Sequence, residues 1–305
     1  MTTSVQARPP SPWRVGVVGA GRVGAVLAAA LRAQGHTVVA AHGLSDASRA
    51  RAAELLPDVP LAPVATVVAQ ADLVLLAVPD DTLPGLVQGV ARSTGFRPDQ
   101  VVAHTSGRHG VAVLAPAAKA GAVTLALHPA MTFTGTRIDL ERLVGTRFGV
   151  TAAPQHLGLA EELVAEIGGV LVRVEEDDRD LYHAALAHGA NHLVTLVSDA
   201  IDLLATAGVA DPAGTLRPLL QAALDNALEQ GSAALTGPVA RGDAGTVAAH
   251  LRTIAAVAPD SVDLYAALAR HTAARAVADG RLRSADAAGL LDALADLDAV
   301  QPADA

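Results

Sequence analysis

Short apolar runs rich in β-branched residues alternate with helical stretches through the first half of the chain, and helical character alone fills the second half. Val15 to Val18, Thr37 to Ala41, Asp72 to Pro79, Val101 to Ala103, Val123 to Leu127, Arg147 to Thr151 and Gly169 to Val174 read as strands. The third, DLVLLAVP, is apolar almost throughout, as a parallel strand buried on both faces must be. A helix over Gln155 to Ile167 separates the last two strands, which extend the same sheet. From Leu181 onward the helical signals are broken only at Gly208 to Pro212, Gly231, Gly237-Pro238, Gly242 to Gly245 and Pro259. The pattern predicts an α/β, doubly wound N-terminal domain over residues 13–174 and an all-α domain over 175–305. The polar, proline-bearing residues 1–12 are expected to form a disordered arm, and Gln301 to Ala305 to fray.

The first strand runs into Gly19-Ala20-Gly21-Arg22-Val23-Gly24 and then, without a proline, into an alanine and leucine helix. This strand, glycine turn and helix form the layout of a Rossmann dinucleotide site. Gly19 permits the tight turn, Gly21 lets the backbone approach a pyrophosphate, and Gly24 lets helix and strand pack closely. The free amides of the first helical turn, from Arg22 and Val23 onward, would face the phosphate charge. A glycine turn that only supports packing is the plainer alternative. Val78-Pro79-Asp80 and His104-Thr105-Ser106-Gly107 close later strands at the carboxyl edge, where doubly wound sheets bind ligands. Thr105 and Ser106 could hold the nicotinamide side of a cofactor or a substrate carboxylate, or could merely cap the next helix. His128 is followed by Pro129, which holds it in one orientation.

Beyond the second strand the chain reads HGLSDASR, with no acidic residue at the strand tip to repel a 2′-phosphate. Ser45, Ser48 and Arg49 can donate to such a phosphate, so NADP is favoured over NAD. Asp46 serving NAD, or Ser45 and Asp46 simply starting a helix, are the other readings.

Composition narrows the field. A net charge of -9 argues against nucleic acid or an anionic membrane as partner, and no apolar run is long enough to span a bilayer. Hydrophobic residues make up 51% but aromatics only 2%, so the core must be built from alanine, valine and leucine. Without cysteine there is no disulfide, thiolate metal site or cysteine nucleophile. A soluble cytoplasmic protein is expected.

At about 100° per residue, His188, Asn191, Thr195, Ser198 and Asp202 share one face of a long helix, with His183 at its edge. Between Tyr182 and Leu216 the chain has no Lys, Arg or Glu. A polar, largely uncharged face suggests a lined cleft, or else a packed subunit interface or an ordinary wet surface. His188 and His192 have metal-ligand spacing, but no third ligand is evident and no metal is expected. The run EEDDRD, from Glu175 to Asp180, reads as a solvated turn and helix start.

AVPDD, HTSG, LHPAMTF, YHAALAHGANHLVTL and LTGPVARGDAGTVAAHL follow the glycine turn in order. In this order the chain resembles the oxidoreductase family that joins a Rossmann-like domain to a C-terminal helical domain of unknown function. It is more distantly similar to ketopantoate reductase, pyrroline-carboxylate reductase, prephenate dehydrogenase and the 3-hydroxyacid dehydrogenases. The resemblance implies a helical substrate domain and a homodimer. It also implies a catalytic lysine ahead of an asparagine on the long helix, but the only lysine, Lys119, lies in the cofactor half. His188, three residues before Asn191, takes the nearest equivalent place. The arginine that NADP-binding relatives carry after strand two corresponds to Leu44.

The expected activity is NADP(H)-dependent hydride transfer to or from a C=O or C=N carbon of a small organic acid. His188 is the expected proton donor and Asn191 orients the reacting group, with His128 and His183 as rival donors. Ser106, Thr195 and Arg241 would bind the substrate carboxylate, unless Arg241 only pairs with Asp243 at a helix cap. A dinucleotide-binding sensor without turnover, and an NADP:deazaflavin oxidoreductase, are the competing readings.

Overall fold

The computed structural model describes residues 12–295, so residues 1–11 of the expected arm and the expected fraying end at 301–305 lie outside the described residues. The elements of the sheet half are β1 (Arg14–Val18), α1 (Arg22–Ala33), β2 (Thr37–His42), α2 (Asp46–Leu55), α3 (Val64–Gln70), β3 (Leu73–Leu76), α4 (Leu83–Arg92) and β4 (Val101–His104). They continue with α5 (Ala115–Lys119), β5 (Val123–Pro129), α6 (Ile138–Arg142), β6 (Arg147–Ala152), α7 (Leu157–Glu166) and β7 (Val170–Arg173). All seven expected strands form one sheet, ordered β2-β1-β3-β4-β5-β6-β7. Every pairing is parallel except β5 with β6, which is antiparallel.

Strand alternation divides the apolar side chains between two cores. Val15, Val17, Leu73, Leu75, Val101 and Ala103 join a layer containing α1 and α7. Val18, Val74, Leu76 and Val102 join the layer of α3, α4 and α5 on the opposite face. Both faces are thus covered, which is why these strands read as continuous apolar runs.

The helical half comprises α8 (Arg179–Thr206), α9 (Pro212–Gln230), α10 (Gly237–Ala240), α11 (Ala244–Val257), α12 (Val262–Ala278) and α13 (Ser284–Ala295). Two compact units divide the chain between Gly189 and Ala190, inside α8. The first unit thus extends past the change of character at 174/175. In the second, Val247, Leu251, Ala266, Ala269, Ala273, Leu290 and Leu294 of α11, α12 and α13 make the core. Its alanines allow close helix approach, as the aromatic-poor composition requires. The 19 residues of α9 include none that are buried. Among the described residues no helix is long and apolar enough to cross a membrane.

Candidate functional site

The turn after β1 separates two uses of glycine. Gly19 has φ +97°, and a Cβ there would collide with the Ala77 carbonyl. A Cβ on Gly24 would strike the Gly19 carbonyl and come within 2.8 Å of Ala77 Cβ. Both glycines are therefore required by the fold itself. Gly21 is not: its φ is -77°, and a Cβ there would have no neighbour nearer than the Gly19 carbonyl at 4.0 Å. It also serves as N-cap of α1 without a side-chain cap, and the first turn of that helix carries no acidic residue. The amides of Arg22, Val23 and Gly24 are thus left to an external acceptor.

The loop after β2 is folded back on itself. Ser45 caps α2 by accepting from the Ser48 amide at 3.1 Å. Arg49 pairs with Asp46, and both side chains are substantially exposed. The side chains of Arg51 and Arg22 approach Gly135 in the segment after β5. The turn at Pro79 continues from β3, with the Thr82 amide donating to the Pro79 carbonyl at 2.9 Å.

At the carboxyl end of β4 the loop is held by its own side chains. His104 is fully buried. Its Nδ1 accepts from the Ser106 amide at 3.2 Å, and its Nε2 lies 2.8 Å from the Gly110 carbonyl, so the neutral Nε2–H form fits both contacts. Burial lowers its pKa from 6.5 to about 4, with Arg179 and His109 acting in the same direction and the Gly110 bond opposing. Ser106 Oγ accepts from the His109 amide at 3.0 Å. Glu176 accepts from the Val111 and Ala112 amides at 2.8 and 3.0 Å. A pocket of ≈ 350 Å³ opens here, lined among others by Arg108, His109, Glu176 and Asp180.

Next to this loop three rings meet. His128, at the end of β5, lies with Nδ1 3.0 Å from the Tyr182 hydroxyl. Its ring stands edge-on to those of Tyr182 and His183, with centroids 5.6 and 6.1 Å away. Gly107 faces the two imidazoles: a Cβ there would come within 2.7 Å of His183 Cδ2 and 2.9 Å of His128 Nε2. Burial first, then His183 and Arg179, lower the His128 pKa from 6.5 to about 4, against a small opposing pull from Asp80.

Arg179, 1% exposed, lies over the Tyr182 ring. Its Nε donates to Thr151 Oγ1 at 2.7 Å, Nη1 to the Ser106 carbonyl at 3.4 Å, and Nη2 to the carbonyls of Ala126 and Gly149 at 3.2 and 3.0 Å. The guanidinium thereby ties β5, β6 and the loop after β4 together. This corrects the reading of EEDDRD as a solvated turn: it does start a helix, but Arg179 is its buried keystone and Glu176 caps the segment at 111–112. The helical phase places Arg179, Tyr182 and His183 on adjoining faces of one turn, a signal the sequence carried.

The remaining predicted residues lie on the helical elements that follow. His188, Asn191 and Thr195 are exposed on α8. Arg241 is exposed after α10, while Asp243 caps α11 by accepting from the Thr246 amide and hydroxyl at 3.0 and 2.7 Å. Among the described residues no group of three potential metal ligands is found.

A mostly parallel sheet covered on both faces, with an open glycine turn at the head of α1, defines a Rossmann-like protein. Residues 2–129 match the Rossmann-like domain, and residues 146–272 match the domain of unknown function DUF2520. The chain is thus a Rossmann-like domain followed by a DUF2520 domain, the pairing its motifs resemble. A candidate NADP oxidoreductase from Bacteroides fragilis has the same fold, with a TM-score of 0.72 at 21% identity over 86% of this chain and 98% of the other. Protein TM1727 from Thermotoga maritima gives a TM-score of 0.63 at 20% identity over 87% and 99% of the two chains. The NADP-bound pyrroline carboxylate reductase of Plasmodium falciparum gives 0.54 at 10% identity over 87% and 98%. No curated protein matches the sequence.

Proposed function

We propose that the protein is an NADP(H)-dependent oxidoreductase acting on the C=O or C=N carbon of a small organic acid. The observation that carries this reading is Gly21, whose missing side chain serves no packing purpose and leaves room before uncapped amides. Gly19, Gly21, Arg22, Val23 and Gly24 would hold the diphosphate. Val78, Pro79, Asp80, Thr105 and Ser106, at the ends of β3 and β4, would border the nicotinamide half. When bound, the cofactor supplies or accepts the hydride.

Two features favour NADP over NAD. No carboxylate stands at the tip of β2, and an exposed pair such as Arg49 with Asp46 holds its arginine weakly enough to be redirected. Arg22 and Arg51 add positive charge near this end. His128 and His183, gathered at Gly107, stand beside His188 as candidate imidazoles for the reacting group. Arg241 is exposed and able to bind a carboxylate.

We also infer a homodimer. Val194 on α8 and Leu219 and Leu228 on α9 are 67%, 65% and 78% exposed, and a 19-residue helix with nothing buried is marginal alone in water. A second copy covering these apolar faces stabilises both helices.

Titrating the full chain with NADPH and NADH, then following absorbance with a panel of oxo and imino acids, tests the activity. Oxidation of NADPH supports the reading. Absence of binding refutes it, and tight binding without oxidation across the panel replaces it with a sensor.

A further inference from the structure

The phenol of Tyr182 has no place in the reading above, yet it is the group that touches His128 most closely. It is partly buried, and a Cβ on Gly149 would run into its oxygen, so only a glycine at that point of β6 admits the ring. Arg179 fixes the floor of the same space, its guanidinium carbon 5.8 Å from the Tyr182 ring centroid. Among the described residues His128 Nδ1 is the acceptor within hydrogen-bond reach of the phenolic hydrogen, at 3.0 Å. A phenol that donates to Nδ1 leaves the imidazole hydrogen on Nε2. That nitrogen is the one beside Gly107, at the gap also bordered by His183.

We propose that His128 acts as a neutral imidazole donating its Nε2–H to the carbonyl oxygen or imine nitrogen of a substrate seated against Gly107, with Tyr182 as the positioning residue that sets this tautomer. The proposal rests on the oxidoreductase reading for its substrate class, while the tautomer and its cause stand on geometry alone. In the reducing direction a hydride from a bound dihydronicotinamide, oxidised to the nicotinamide cation as its C–H bond breaks, would form the new C–H bond, and the π pair of the C=O or C=N bond moves to the heteroatom. The Nε2–H stabilises that charge by hydrogen bonding, water supplies the neutralising proton, and His128 keeps its own. The groups facing His128 agree with a neutral ring: the Arg179 cation and His183 disfavour an imidazolium, Tyr182 occupies Nδ1, and only Asp80 pulls the other way. A preorganised neutral donor of this kind costs no proton loss and regain in each turnover.

The test is long-range ¹H–¹⁵N correlation NMR on the uniformly labelled full chain at pH 7, with His128 assigned from a His128→Gln variant. The expected wild-type spectrum shows a pyrrole-like Nε2 and a pyridine-like Nδ1. In Tyr182→Phe the preference shifts toward an Nδ1–H mixture. A charged His128, an Nδ1–H ring in the wild type, or an unchanged tautomer in Tyr182→Phe overturns the proposal. Should Tyr182→Phe not fold, 3-fluorotyrosine at the two tyrosines provides the second measurement. Its more acidic phenol moves the Nδ1 resonance in the protonated direction, and an unmoved resonance counts against the proposal. None of these readouts needs turnover, so a failure to oxidise NADPH and a failure of the tautomer are separate results.

Discussion

Lowering the pH should destabilise the sheet half of this protein through two named histidines. His104 and His128 ordinarily titrate near 6.5 and are held to about 4 when folded. For His104 burial is the chief cause, and protonating Nδ1 would also displace the Ser106 amide that donates to it. The folded pKa lies below the unfolded one, so the unfolded chain takes up protons that the folded chain refuses. Stability is therefore full above about pH 6.5, declines from there to about pH 4, and levels off below. Moving from pH 7 to pH 5 costs roughly 2 kcal/mol per histidine, about 4 kcal/mol for both, a large share of a typical domain's stability. The only tryptophan, Trp13, is buried beside β1 and reports on this half. Urea titrations followed by its fluorescence at the two pH values, in the wild type, His104→Gln and His128→Gln, give the comparison. Other histidines contribute to the absolute slope, so the measure is the difference: each variant should lose about 2 kcal/mol less than the wild type. Equal losses in all three proteins would refute the reasoning.

The two uses of glycine should separate cleanly. Gly21→Ala should keep its melting temperature and bind NADPH about tenfold or more weakly by titration, whereas Gly24→Ala should be unstable in the same melt because its Cβ meets the Gly19 carbonyl. Removing Arg49 and Arg51 together should raise the NADPH dissociation constant by about tenfold or more and leave that for NADH unchanged. Gly107→Ala inserts a methyl group within 2.7 Å of His183 and 2.9 Å of His128; turnover should fall about 10²-fold with NADPH affinity intact. Leu219→Asp combined with Leu228→Asp should convert a dimer into a monomer by light scattering.

The sheet was legible because strands buried on both faces announce themselves as apolar runs, and all seven expected runs pair. Period-two alternation carries no direction, so the antiparallel turn at β6 could not be read in advance. The glycine turn was legible as a motif, but only coordinates show that Gly19 and Gly24 answer to packing while Gly21 does not. The catalytic candidates were harder. Helical arithmetic puts His188, Asn191 and Thr195 on one face, but a shared face says nothing about what that face meets, and all three are exposed on α8. Tyr182 and Arg179 escaped notice because a charged run normally points to solvent. Burial of the one arginine in it depends on carbonyls from β5, β6 and a loop far away in sequence.

Engineers seeking altered preferences should leave the β4 loop alone. His104, Ser106 and Gly110 are each committed to an internal bond, Gly107 has no room to grow, and Glu176 locks the residues that follow. Randomising that loop would yield misfolded libraries rather than new selectivities, so diversity is better introduced at Asn191 and Thr195 on α8, whose side chains are exposed.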